Sequence, residues 1–364
     1  MKIVVYAIAK NESSFVDRWM DSMSEADQVV VLDTGSDDGT AERLRARGAR
    51  VAVEQIIPWR FDRARNRSLE LVPEDADVCV CTDLDEVFRP GWRTALEQAW
   101  TPGTSQAQYR YTWSFQPDGS EGVVFWQEKI HARRGFRWVH PVHEVLEWVG
   151  EGERGPLALA QGVQLDHHPD PKKSRGQYLP LLELSVAEDP EDDRNLHYLG
   201  REYLYYGRWD DCIRTLTRHL ALPSAVWRDE RAASMRYIAR AHAWKGERDE
   251  ARDWYLRAAA EAPHLREPWT DLAMLLYENQ EWDGVLYATA CALKIRERPR
   301  TYICEAEAWG SLPHDLRCQA YYHTGRLPQA LEEARLALAA APSDPRLAGN
   351  AALLEKMAGT AGEL

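Results

Sequence analysis

Apolar residues follow two different patterns along this chain, and the change between them divides it. Up to about residue 170, short apolar runs alternate with stretches of helical spacing. Residues 2–9 and 29–32 are almost continuously apolar, and 51–57 and 78–82 are further strand candidates. Between them, 40–47 and 61–71 carry apolar residues at helical intervals. Runs of this kind, separated by helices, predict parallel strands buried on both faces of an α/β sheet. In such sheets ligands bind beyond the carboxyl ends of the strands. After residue 105 the runs lengthen and become aromatic (108–115, 123–131), which predicts mixed or antiparallel additions to the sheet.

From about Lys172 the pattern is helical and it repeats. Leu199, Gly200, Tyr203, Cys212 and Leu216 align with Ala239, Ala251, Tyr255, Ala258 and Pro263. Ala273, Val285 and Ala292 follow, then Cys318, Ala330, Ala334, Ala337 and Pro342. Ala251 and Val285 are 34 residues apart. Gly207, Gly246 and Gly325 mark turns between paired helices, and the third unit departs with Asn279-Gln280-Glu281-Trp282. Longer spacings place insertions around 224–230 and 299–313, and residues after Pro345 read as a capping helix. Period, small residues and closing prolines resemble the tetratricopeptide repeat, in which small residues let paired helices approach closely. The expected domains are 1–170 and 171–364. So short a connection, at 169–173, is expected to hold the two halves together.

The bulk numbers narrow the function classes. The chain of 364 residues is long enough for two domains with real cores, and 45% hydrophobic with 28% charged residues is ordinary for a globular protein. No apolar run approaches membrane-spanning length, and the opening residues read as a first strand rather than a signal peptide, so a cytoplasmic location is expected. The net charge of −13 opposes nonspecific nucleic-acid binding. A local basic cluster, His131, Arg133, Arg134 and Arg137, leaves DNA open as a partner. The six cysteines form no Cys-x-x-Cys pair, which argues for reduced thiols and against a zinc site. Cys79 and Cys81 share one face of a strand and are expected in the core.

The most informative chemistry is Asp83-Leu84-Asp85, at the exposed end of the run 78–82. Two carboxylates there can hold Mg²⁺ or Mn²⁺ together with a diphosphate. Asp75-Ala76-Asp77 has the same spacing but precedes its strand, where no cleft is expected. Asp33 follows the second strand and can accept from a base N–H or a ribose hydroxyl. Gly35 and Gly39 permit a tight turn, and Ser36 or Asp38 can cap the helix near Thr40. Arg63, Arg65 and Asn66 open a helix, and the arginine fork suits a diphosphate. Trp113, Trp126 and Trp138 can serve a sugar platform or the core.

Together, 7–12, 33–40, 59–66 and 83–85 resemble the family 2 nucleotide-sugar glycosyltransferases of GT-A fold. The likeness is close over residues 1–90 and looser to about 170. The implied fold class is an α/β GT-A (Rossmann-like) catalytic domain followed by an all-α tetratricopeptide-like solenoid. The resemblance implies nucleotide contacts at Ala7, Glu12, Asp33, Arg65 and Asp83. It implies metal ligation by Asp85 and His167, with Glu86 behind them, Arg63 and Arg67 facing solvent, and Mn²⁺ or Mg²⁺ as cofactor. The segment Val142-His143-Glu144-Val145-Leu146 looks like a motif of bacterial members, which makes Glu144 the preferred base, with Glu128 and Asp118 as rivals. Inverting transfer from a nucleotide diphosphate sugar is the implied reaction. The acceptor is open: a polypeptide, as in similar bacteriocin-modifying enzymes, a surface polysaccharide, or a modified DNA base. The repeats are expected to bind peptide or a second copy of the chain. Two rivals remain. One is a pseudoenzyme scaffold. The other is a nucleotidyltransferase, which would want a glycine-rich basic loop after the first strand, where 7–12 has no glycine.

Overall fold

The computed structural model describes residues 1–116, 118–170 and 176–361, and divides into two compact units, Met1–Ser185 and Val186–Leu364. The expected connection at 169–173 falls partly outside the described residues.

The first unit is built on an eight-stranded mixed sheet. Its strands are β1 (Ile3–Ala9), β2 (Gln28–Asp33), β3 (Arg50–Val53), β4 (Val78–Cys81), β5 (Glu86–Phe88), β6 (Gln106–Thr112), β7 (Val124–Ala132) and β10 (Leu157–His167), in the order β3-β2-β1-β4-β7-β6-β10-β5. A separate hairpin pairs β8 (Phe136–Val139) with β9 (Val145–Trp148). β1 to β4 are parallel, and β7 begins an antiparallel extension, as the change in apolar pattern predicts. Helices α1 (Val16–Ser22), α2 (Thr40–Ala46), α3 (Phe61–Glu70), α4 (Trp92–Ala99) and α5 (Tyr178–Glu188) complete the unit, α5 crossing the division between the two.

Strand alternation distributes the core. Ile3, Val5, Ala7 and Ala9 pack with Trp19 of α1, Leu44 of α2 and Trp92 and Leu96 of α4. Val4 and Tyr6 face the other way, with Leu69 of α3, Cys79, Cys81 and Trp138 of β8. Both cysteines are therefore core residues. The strand expected at 51–57 stops at Val53 because β3 is the edge of the sheet: Ile57 is exposed, and Pro58 has no N–H for the ladder. The cap expected from Ser36 or Asp38 is replaced. Gly39, at φ 85°, is the N-cap of α2, while Asp38 accepts from Ser13 N and Thr40 N, and Ser36 Oγ accepts from Asn11 N. These bonds join the loop after β1 to the loop after β2.

The second unit is helical. Paired helices are α6 (Asp193–Tyr205) with α7 (Trp209–Ala221), α8 (Arg228–Trp244) with α9 (Arg248–Glu261), and α10 (Glu267–Glu278) with α11 (Trp282–Lys294). A short α12 (Ala306–Trp309) precedes the pair α13 (Leu312–His323) and α14 (Leu327–Ala340), and α15 (Pro345–Ala361) caps the series. The aligned small residues are buried where partners meet; a Cβ on Gly200 would lie 2.3 Å from Leu216. Gly207, Gly246 and Gly325 have φ of 69°, 83° and 74°. In the third pair the same left-handed position is held by Gln280, at φ 61°. This repeat-like pairing fits the solenoid expected from the sequence. The second insertion resolves into the segment 295–305 and α12. Tyr302 stacks on Tyr198 of α6 and bonds Glu230 of α8; Glu305 pairs with Arg236 and Arg240 of α8, and its N–H reaches Glu267 of α10. The connector thus crosses three pairs.

Candidate functional site

Sheet register assembles the site in the first unit. β10 runs antiparallel to β5 with His167 opposite Glu86, which brings the last residue of β10 beside Asp85. His168 N donates to Asp85 O at 2.8 Å and fixes the two loops. The His167 ring Nδ1 lies 2.9 Å from the Trp113 carbonyl, which only accepts, so Nδ1 carries a proton. Nε2 then faces Asp85 Oδ2 at 3.6 Å. Both side chains are about nine-tenths buried, and Trp113 stacks on the imidazole at 4.4 Å. A nitrogen and a carboxylate oxygen converging with the far ring nitrogen anchored is the arrangement of paired ligands to one cation. The mixed nitrogen and oxygen donor set fits Mn²⁺ better than Mg²⁺, which favours oxygen alone.

Asp83 sits in a denser network. Arg65 Nη2 donates to Asp83 Oδ1 at 2.6 Å, and Arg65 Nε donates to Glu144 Oε1 at 2.8 Å. One buried guanidinium therefore holds the first carboxylate of the triplet and the expected base. The structure corrects the assignment of Arg65 as a direct nucleotide contact: its side chain is 3% exposed and its fork is engaged by protein carboxylates. Arg63 is exposed and Arg67 pairs with Glu54 and Glu70 at the surface. Asn66 clamps the Trp138 backbone, donating to its O at 2.8 Å and accepting from its N at 2.9 Å. Arg65 and Asn66 together fasten the β8–β9 hairpin, and Glu144 with it, onto α3. Among the described residues, the hydrogen bond to Glu144 falls on Oε1 and leaves Oε2 unbonded.

Lys129 of β7 was not singled out from the sequence. Its Nζ lies 3.4 Å from Asp83 Oδ2 and 3.3 Å from Glu86 Oε1. Glu86 is buried, accepts from Asp83 N and from Tyr111 OH, and so stands behind Asp83. Burial pushes its carboxyl above the usual range against the pull of Lys129, and Asp83 and Asp85 add to the rise. Burial pulls the Lys129 ammonium down, but Glu86 and Asp83 outweigh it and the net shift is upward. The signal in the sequence was alternation: Lys129 falls on the opposite face of β7 from the buried Ile130.

Asp33 occupies the end of β2 with no exposed surface. Its Oδ1 accepts from Gly35 N and Ser36 N, while Oδ2 is buried without a partner. An orphaned acceptor at a strand's carboxyl end suits a donor from a ligand. Glu12 is buried nearby, its N–H bonded to Thr40 Oγ1. Ala7 is corrected: it lies inside β1, wholly enclosed in the core, so it offers no ligand surface.

Other expectations change as well. Asp118 accepts from Ser120 N and Oγ on an exposed turn, which fits a turn residue and not a base. Glu128 is partly buried at a register shift between β6 and β7, and its carbonyl accepts from Gln106 Nε2. Trp138 is 2% exposed and donates to Tyr6 OH in the core, whereas Trp113 is 48% exposed and keeps the platform role open. Trp126 is partly buried. The basic cluster dissolves: His131 is buried on Tyr6, Arg133 and Arg134 meet Glu74, and Arg137 meets Glu147. Three arginines thus share two carboxylates, with Arg133 and Arg134 both on Glu74, and His131 is withdrawn into the core. Asp75 and Asp77 bind Lys2 and not a ligand site. Beside His167, a cavity of about 480 Å³ is lined by Phe15, Arg18, Ser114, Phe115, His168 and Pro169.

No family model matches the chain, and no curated protein matches it. Among solved structures, MamA is 19% identical with a TM-score of 0.36, covering 44% of this chain and 84% of its own. YrrB, described as a TPR protein with an unusual peptide-binding site, is 13% identical at TM-score 0.38, covering 49% and 84%. Yeast Tom70 is 12% identical at TM-score 0.40, covering 53% and 38%. Among the described residues, no helix is long and apolar enough to cross a membrane.

Proposed function

We propose that the first unit is a metal-dependent glycosyltransferase domain of GT-A type, moving a sugar from a nucleotide diphosphate sugar to an acceptor. The observation that carries this reading is the convergence of Asp85 and His167 at the carboxyl end of the sheet, with Asp83 one step away. Asp33 Oδ2 would accept from the base, and the joined loops after β1 and β2 would enclose the nucleoside. Asp85 and His167 would hold Mn²⁺ or Mg²⁺, which supplies charge neutralisation for the departing diphosphate. Lys129 holds Asp83 and adds positive charge on the same side. Arg65 fixes Glu144, whose free Oε2 would take the acceptor hydroxyl proton as the hydroxyl attacks the anomeric carbon. Trp113 offers a face for the sugar or acceptor. A polypeptide acceptor fits the repeat-like helices of the second unit. The test is turnover of UDP- and GDP-sugars with Mn²⁺, scored by released nucleotide. Expected is metal-dependent release that Asp85→Asn abolishes; no binding or turnover of any nucleotide sugar would refute it.

A second reading is a scaffold in which the helical unit carries the biology. It is favoured by Arg65 and Lys129, which already neutralise Asp83. Under that reading calorimetry finds no nucleotide affinity, and Asp33→Asn changes nothing.

A further inference from the structure

Both places where the helical repeat loses its period touch each other, and they do so around an unusual set of buried groups. Glu230 belongs to the first insertion and Tyr302 to the second, and the tyrosine hydroxyl donates to Glu230 Oε2. The other Glu230 oxygen, Oε1, lies 3.5 Å from Nε2 of His219. His219 is wholly buried in the last turn of α7, and among the described residues its Nε2 has no hydrogen-bond partner. Asp193, in the first turn of α6, completes the set: one ligand atom from each of Asp193, His219 and Glu230 lies within 4.8 Å of the others.

From this we propose that Asp193, His219 and Glu230 bind a divalent cation of the Zn²⁺ class. The site joins the start of α6, the end of α7 and the start of α8, and it is separate from Asp85 and His167. One imidazole nitrogen and two carboxylate oxygens match a borderline cation better than Ca²⁺ or Mg²⁺, which favour oxygen alone. Helix polarity supports the placement, since both carboxylates sit at helix N-termini where negative charge is favoured. The groups behind the ligands are also arranged for it. Ser234 Oγ lies 3.0 Å from His219 Nδ1 and 2.8 Å from His197 Nδ1. Ser234 has one proton to give, so it donates to one ring and accepts from the other. With His219 Nδ1–H donating to Ser234 and Ser234 donating to His197, His219 Nε2 carries a lone pair directed at the carboxylates. Tyr302 holds the far oxygen of Glu230, so a cation there also pins the connector. Arg194 and Arg201 lie over the Tyr198 ring at 5.0 and 4.6 Å, and Arg194 interacts favourably with Glu230. The cysteine spacing argues against a thiolate zinc site and does not bear on one built from imidazole and carboxylates.

The test uses the full chain in an Asp85→Asn background, so that the sheet site does not contribute. Chelator-stripped protein is titrated with Zn²⁺, and with Co²⁺ while its visible absorption is read. Expected is one equivalent of tight Zn²⁺ binding and ligand-field bands that respond to His219. Adding His219→Gln or Glu230→Gln abolishes both, and Ser234→Ala weakens Zn²⁺ binding by about tenfold or more, as for other groups that orient a ligand. Asp193→Asn, at a half-buried position, serves as the variant least disruptive to folding, with helicity followed by circular dichroism. Failure of the Asp85→Asn chain to bind Zn²⁺, or binding indifferent to Asp193→Asn in a folded protein, overturns the proposal. Either result leaves the reading of the first unit untouched.

Discussion

Single side chains decide whether the sheet site is live. Asp85→Asn is expected to abolish metal-dependent donor turnover while leaving nucleotide affinity within about tenfold, because an amide is a poor ligand beside an imidazole; turnover and calorimetry with Mn²⁺ read both. Asp33→Asn should weaken nucleotide binding, since it puts a donor where a base N–H needs an acceptor. A loss of about 1–3 kcal/mol is the scale for one buried unpaired group. Another residue sets a pH response of the fold itself. His131 is buried, bonded to Tyr6 OH and to the Ala132 carbonyl, and burial pushes its pKa down to about 4. The unfolded ring titrates near 6.5, so between these values the unfolded chain binds the extra proton. The stabilisation is full above about pH 6.5 and is lost as pH falls toward 4, a span worth about 3 kcal/mol. Urea unfolding at pH 7 and pH 5 should show that loss, and His131→Gln should reduce it. Asp83 and Asp85 were legible by place, since they follow the apolar run of β4 and the structure sets them at its carboxyl end. Arg65 was legible as important but not in its role: only the fold shows that Asp83 and Glu144 claim its fork first.

Elements were legible where one physical pressure acted alone. β1, β2 and β4 are buried on both faces, and their apolar runs mark them almost to the residue. β3 was overcalled because an edge strand lacks a second neighbour to extend it. The β8–β9 hairpin was missed as an element, since its strands are short and half-exposed; only its loop drew notice, through Glu144. In the helical unit, the third pair departs in sequence, with Asn279-Gln280 where the other turns have glycine. The backbone instead keeps the turn and places a side chain at φ 61° where the other pairs use glycine. Gln280→Gly should therefore stabilise the unit. Relief of roughly 1–2 kcal/mol of left-handed strain is offset by about 0.5–1 kcal/mol of glycine entropy, a net gain that denaturant midpoints resolve. Gly200→Ala should do the reverse and cost about 1–3 kcal/mol, because Leu216 already fills the space a methyl would need.

At the scale of the molecule, the place to cut the chain follows from α5. Tyr178 stacks on Phe61 at 6.2 Å and on His143 at 5.8 Å, next to the hairpin that carries Glu144. A fragment of residues 1–185 should bind nucleotide as the whole chain does. One of residues 1–170 should be less stable by about 1–3 kcal/mol, the scale of two aromatic pairs, and this is read by thermal unfolding. Both should lose transfer to a polypeptide acceptor if the helical unit selects it; full transfer by the shorter chain would assign the helices to assembly. The connector that crosses three helix pairs has a consequence of another kind. Stacked repeats touch only their neighbours, so such arrays can fray from an end or melt piecemeal. Here Tyr302 and Glu305 reach α6, α8 and α10 from beyond the third pair. An array tied back on its own first helix has no free end to unzip from on that side. The first three pairs should melt as one cooperative block, and cutting the connector should turn that single transition into a graded one.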